Sequence, residues 1–209
     1  MPTTPIAALA ALSLLGSCAS WKKFGYEGWG RERAQQPARV VEALAIAPGA
    51  RVADLGAGGG YFTTRLADAV GPQGRVYAID LDPDMLGLLR EQAAGRANVE
   101  VIAATPDDPR LPVGGVDLLF SCNTYHHLSD RSAYFRRLAP SLRPGGRIAL
   151  IDHDGRGWFG WLLFGHATPA EVMREEMAAA GYRLVQQHDF LARQSFLVFA
   201  RAEGEPVRR

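Results

Sequence analysis

Short apolar runs alternate with amphipathic stretches along most of this chain. Residues 51–57, 75–81, 98–104, 116–123 and 147–153 are apolar runs of strand length, each bounded by Gly, Pro, Asp or Asn, and they read as five buried strands. Between them apolar residues recur at helical spacing: Phe62, Leu66 and Val70, then Met85, Leu88 and Leu89, then Phe135, Leu138 and Leu142. Ahead of the first strand, Pro37 opens a helical pattern with Val40, Val41 and Leu44 on one side, which stops at Pro48-Gly49. Asp82-Pro83 supplies an N-cap and a proline at the first helical position, and Thr168-Pro169-Ala170-Glu171 reads as a capping box with the same proline placement. Gly181 stops that last helix. Residues 182–190 and 195–202 follow with a short turn between them, as an antiparallel pair does. Alternation closed by a hairpin predicts an α/β fold, a doubly wound seven-stranded sheet that is mostly parallel with one antiparallel edge strand.

Length and composition narrow this picture. With 209 residues, 47% of them hydrophobic, the chain suits one domain with an ordinary core. A formal charge of +1 provides no field toward nucleic acid or an anionic bilayer, so neither is an expected partner on that ground. The two cysteines, Cys18 and Cys122, make no disulfide framework and no metal-ligand spacing. Residues 6–16 are Ala/Leu-rich, too short to span a bilayer but the right size for a signal h-region. Leu15-Gly16-Ser17-Cys18 resembles the lipobox of bacterial lipoproteins, in which Cys18 would carry lipid and attach the protein to a membrane. Residues 1–5 contain no Lys or Arg, whereas an export signal normally begins with positive charge. An envelope lipoprotein and a cytoplasmic chain therefore both stand as expectations. The organisation read from the chain is a signal-like segment over 1–18, a connector over 19–36, one domain over 37–202 and a tail over 203–209.

In open α/β sheets ligands settle at the carboxyl ends of the strands, which directs attention to the turn after the first strand. That turn reads Asp54-Leu55-Gly56-Ala57-Gly58-Gly59-Gly60. Its glycines let backbone approach a ligand, and the helix that follows aims its N-terminal N–H groups at the same place. The dinucleotide fingerprint needs a small residue where Tyr61 or Thr63 stands, so neither register fits. What fits is an acid followed by G-x-G-x-G, with a second acid, Asp80, ending the second strand and able to accept ribose hydroxyls. Leu81 and Met85 are placed to pack on an adenine face.

The stretch from Pro48-Gly49 through Gly60 resembles the first motif of class I S-adenosylmethionine-dependent methyltransferases, and Tyr77-Ala78-Ile79-Asp80 resembles their second. Val116-Asp117-Leu118-Leu119 is similar to their fourth strand, and Leu142-Arg143-Pro144-Gly145-Gly146-Arg147 to the turn into their fifth. The resemblance covers roughly residues 37 to 202 and implies a Rossmann-like fold with S-adenosylmethionine as cofactor. It further implies cofactor contacts from Asp54, Gly56, Ala57, Gly58, Gly60, Asp80 and Leu81. An acid after the third strand, Asp107 in preference to Asp108, would meet the adenine amino group. Asn123 would meet the methionine part.

A sulfonium already carries a good leaving group, so the expected work of the protein is to align a nucleophile and exclude water. A base is needed only for an acceptor that arrives protonated. Tyr125-His126-His127 and Asp152-His153-Asp154 lie where the acceptor should sit, with His126 or His127 the candidate base and Tyr125, His153 and His166 on the substrate side. Adjacent histidines do not match a metal-ligand spacing, so no metal is expected. Trp158-Phe159-Gly160-Trp161-Leu162-Leu163-Phe164 has three readings: Trp158 and Trp161 line a hydrophobic acceptor pocket, touch a membrane beside a lipidated Cys18, or belong to the core. The function these readings favour is methyl transfer to a small or lipophilic acceptor. A non-catalytic envelope protein retaining the fold is the alternative. An NAD(P)-dependent oxidoreductase lacks both the small residue at 61 or 63 and a Tyr-x-x-x-Lys motif.

Overall fold

The computed structural model describes residues 30–155 and 167–202. Seven strands form one sheet: β1 (Arg51–Leu55), β2 (Arg75–Asp80), β3 (Val99–Ala103), β4 (Val116–Cys122), β5 (Leu142–His153), β6 (Tyr182–His188) and β7 (Gln194–Arg201). Their order is β3-β2-β1-β4-β5-β7-β6. All neighbours from β3 to β5 pair in parallel, and β7 runs antiparallel to both β5 and β6. The mixed sheet is the one expected, and the reversed strand lies one place in from the edge that β6 occupies.

Six helices flank the sheet among the described residues: α1 (Arg31–Gln35), α2 (Pro37–Ala43), α3 (Thr63–Val70), α4 (Pro83–Ala93), α5 (Arg131–Leu138) and α6 (Ala170–Ala179). Strand alternation decides which helix meets which face. Val52, Val76, Leu118, Phe120, Ile151 and Val198 pack against Val40 and Leu44 of α2 and its extension and Leu66, Ala67 and Val70 of α3. Ala53, Leu55, Ile79, Leu119, Ile148, Leu150 and Leu197 pack on the other face against Phe135 and Leu138 of α5 and Met173 and Met177 of α6. Leu66 is fully buried, and its truncation to Ala should cost about 2–5 kcal/mol.

Some local signals acted as read. Asp82 caps α4 by accepting the Asp84 N–H at 2.9 Å, with Pro83 as its first residue. Others did not. Thr168 is no N-cap: α6 begins after Pro169 without a side-chain cap, and the Thr168 N–H instead donates to the His153 carbonyl at 2.9 Å. In α4 the buried residues are Met85, Leu86 and Leu89, so Leu86 takes the inward place expected of Leu88. Leu142 opens β5 instead of continuing a helix, and the Pro144-Gly145-Gly146 turn is absorbed as a register shift between β4 and β5. The end of the expected connector is the helix α1, which buries Gln35 against the domain.

Candidate active site

The chain leaves β1 through a loop whose glycines at 56, 58 and 60 all have positive φ (73°, 55° and 93°). At Gly56 a Cβ would come within 2.0 Å of Thr124 Oγ1, so any side chain there forces Thr124 to move. Both the Gly56 and Ala57 N–H groups donate to the Ile79 carbonyl at 2.9 Å, which pins the loop to the end of β2. There Asp80 takes over. Its Oδ2 accepts the Gly58 N–H at 2.8 Å, and its Oδ1 accepts those of Leu81 (2.8 Å) and Asp82 (2.9 Å). Asp54 holds the loop from its other end: its Oδ2 accepts the Thr63 hydroxyl at 2.6 Å, tying the end of β1 to the first residue of α3. Burial pushes the Asp54 carboxyl up to about 7, against the lowering effect of the Thr63 hydrogen bond, and the nearby Asp80 charge adds to the rise.

This cradle suits an adenosyl group. A Cβ at Gly58 would meet nothing within 4 Å, so the loop backbone is open on that side. Leu81, beside the acid, is 59% exposed, an apolar surface next to a carboxylate. Met85 does not join it: at 4% exposure it belongs to the core. Asp107 turns outward, 84% exposed, with its carboxylate 3.8 Å from the Arg137 guanidinium of α5. Asp108 closes its own turn by accepting the Arg110 N–H at 2.7 Å. Neither acid hydrogen-bonds to the glycine loop.

Helix α1 supplies a wall that the sequence did not announce. The Arg31 and Arg65 guanidinium carbons lie 3.9 and 4.3 Å from the Tyr61 ring centroid, and the Tyr61 hydroxyl donates to Glu32 at 3.0 Å. Glu32 also pairs with Arg65. Gln35, held by Arg31 at 2.6 Å, donates to Cys122 Sγ at 3.4 Å. Burial pushes the Cys122 thiol up to about 12, so it stays protonated and inert. Tyr61 and Thr63 had served only to reject a dinucleotide, yet each anchors the loop.

The ends of β4 and β5 hold the rest. Asn123 has a left-handed backbone (φ 58°), donates its N–H to the Ile151 carbonyl at 2.8 Å and accepts the Gln194 amide at 2.6 Å on its side chain. His126 and His127 lie in the 3₁₀ turn Tyr125–His127 with ring centroids 4.0 Å apart, and His153 is 6.5 Å from His126. Tyr125 is not a substrate residue: it is 1% exposed, stacks on Phe135 at 5.6 Å and donates its hydroxyl to Glu176 at 2.7 Å. Arg131 grips the same carboxylate with two bonds of 2.7 Å. Burial, which alone raises the Glu176 carboxyl, is outweighed by these hydrogen bonds and by the Arg131 charge, so its pKa falls below the usual range. Cys18, Trp158, Trp161 and His166 lie outside the described residues. Among the described residues, no three His, Cys, Asp or Glu side chains are grouped to hold a metal ion.

A doubly wound sheet with an acid-bracketed glycine loop at β1 and β2 defines a nucleoside-binding α/β protein. Residues 52–146 match the family model described as a methyltransferase domain. The chain is 31% identical over 157 residues to the malonyl-[acyl-carrier protein] O-methyltransferase of Methylococcus capsulatus, covering 75% of this chain and 52% of that protein. It is 34% identical over 110 residues to an arsenite methyltransferase of Halobacterium salinarum, covering 52% of this chain and 28% of that protein. The chain thus spans about half the length, or less, of these curated relatives. The crystal structure of a SAM-dependent methyltransferase from Aquifex aeolicus superposes with a TM-score of 0.74 at 24% identity, over 86% of this chain and 96% of the other. Residues 52–146 thus match a methyltransferase domain, the fold is that of S-adenosylmethionine-dependent methyltransferases, and the cofactor this implies is S-adenosylmethionine.

Proposed function

We propose that the protein transfers a methyl group from S-adenosylmethionine to a small-molecule acceptor by in-line displacement. The observation that carries this reading is the closure of the glycine loop onto Asp80, through the 2.8 Å bond from the Gly58 N–H. It sets an open backbone surface, a carboxylate with one lone-pair site to spare and the exposed Leu81 side by side, three features that suit an adenosyl group. When bound, the cofactor supplies an electrophilic methyl group on a sulfonium leaving group. The chain's own residues bind and align. Thr63 and Asp54 hold the loop against the start of α3, and Asn123, fixed by Gln194, stands just past β4, where the methionine part of the cofactor would lie. A small acceptor is supported by relatives named for arsenite and for aklanonic acid.

Isothermal titration of the full chain with S-adenosylmethionine, S-adenosylhomocysteine and NADH tests the cofactor half of this reading. Micromolar binding of the first two, with none of the third, is expected. Tight NADH binding without S-adenosylmethionine binding would overturn it.

A further inference from the structure

Asp152, near the end of β5, is fully buried and spends its carboxylate on the turn that follows β4. Its Oδ2 accepts the His126 backbone N–H at 2.8 Å, and its Oδ1 lies 2.7 Å from His126 Nδ1. The same Oδ1 accepts the His153 backbone N–H at 2.8 Å. A carboxylate oxygen against Nδ1 selects the imidazole tautomer with its proton on Nδ1, which puts the basic lone pair on Nε2. The second bond, to the backbone of the same residue, fixes the ring's position as well as its tautomer. The side chain of His126 is 11% exposed, next to the rings of His127 and His153.

Position along the chain ties this pair to the cofactor loop. Thr124 packs directly over Gly56, and His126 stands two residues further on, in the turn that leaves β4. β4 itself pairs with β1, Ser121 opposite Leu55, so the turn emerges beside the loop.

Resting on the methyl-transfer reading, we propose that His126 is the general base, that Asp152 is its positioning residue, and that the acceptor is an alcohol or phenol. The hydroxyl proton passes to His126 Nε2, the oxygen lone pair forms the new bond to the methyl carbon, and sulfur keeps the electron pair of the bond it loses. The imidazolium, stabilised by Asp152, then returns its proton to solvent. A carboxylate acceptor, already ionised, has no use for this pair.

Two measurements test the assignment. In the full chain labelled with ¹⁵N-histidine, long-range ¹H–¹⁵N NMR reads which ring nitrogen of His126 is protonated, with His126→Gln identifying the signal. The Nδ1–H tautomer is expected, and Asp152→Asn, whose amide donates to Nδ1, should move the proton to Nε2. A proton on Nε2 in the unaltered protein, or no change in Asp152→Asn, overturns the pairing. In the second, labelled S-adenosylmethionine is offered with catechol or benzoate as probe acceptors. Methylation of catechol is expected, with kcat lower by about 100-fold or more in His126→Gln and Asp152→Asn and cofactor affinity by titration within about threefold of the parent. Methylation of benzoate alone, or an unchanged kcat in His126→Gln, overturns the base assignment. Loss of S-adenosylmethionine binding in the unaltered protein would instead sink the methyl-transfer reading, while the tautomer still decides the pair.

Discussion

The two halves of the site are built in different ways. The cofactor half, around residues 54–63 and Asp80, is made of backbone: positive-φ glycines, N–H groups and two acids at strand ends. The half past β4 and β5, where the proposed acceptor would lie, is made of side chains gripping one another between neighbouring elements: His126 with Asp152 and Asn123 with Gln194, over a buried support of Tyr125 and Arg131 on Glu176. A backbone cradle suits a ligand whose shape does not vary, because glycines offer one surface and little to substitute. Side-chain pairs can be exchanged without disturbing the sheet, so the same fold can serve different acceptors.

Substitutions that sharpen this contrast should differ in kind as well as size. Gly56→Val puts a branched side chain at φ 73° and into Thr124, and should weaken S-adenosylmethionine by about 100-fold or more in titration calorimetry. The double variant Gly56→Ala/Thr124→Gly should recover part of that loss, since it relieves the collision but not the backbone strain. Asp80→Ala removes the acceptor of three N–H groups and should cost about 10- to 100-fold in affinity. Asp107→Ala, by contrast, should stay within about twofold, its exposed pair with Arg137 being worth little. Equal losses from the two acids would return the adenine role to Asp107.

Beneath the turn that leaves β4, Glu176→Gln should lower stability by about 1–3 kcal/mol in chemical denaturation, by weakening the grip of Arg131 and Tyr125. Cofactor affinity should not change. Asp54 is read through a slope with pH. Because Asp54 titrates near 7 when folded and near its ordinary 3.8 when unfolded, the folded protein holds a proton that the unfolded chain has lost between those values. Its contribution is therefore present below pH 4 and fades as pH rises toward 7, with a slope of up to about 1.4 kcal/mol per pH unit. Asp54→Asn should flatten that slope in denaturant melts collected across the range. An unchanged slope would show that Asp54 is ionised when folded.

The cofactor half was legible in the chain because its parts are contiguous or repeat a strand-end position. Asp54 and Thr63 are nine residues apart, and Gly58 and Asp80 are one strand-helix unit apart, so spacing alone set acid, loop and second acid in order. Even there the partners are not legible: in sequence Thr63 shows only its bulk, although its hydroxyl closes the loop, and α1 lies in a stretch without helical periodicity. Asp107 misled for a related reason. A loop acid shows its charge in sequence but not its direction, and this one faces Arg137.

By itself, then, the sequence determined the alternation of strands and helices, the glycine turn and the acid after β2, since each follows from local periodicity or from backbone conformations that glycine alone adopts readily. Tertiary structure decided the rest. Only the pairing of β4 with β5 brings Asp152 onto His126, 26 residues earlier, and only the reversal of β7 brings Gln194 onto Asn123, 71 residues away. Which carboxylate meets which ring depends on strand order and register, and those are settled by how two hydrophobic faces are covered at once, a property of the whole sheet that no single stretch of chain carries.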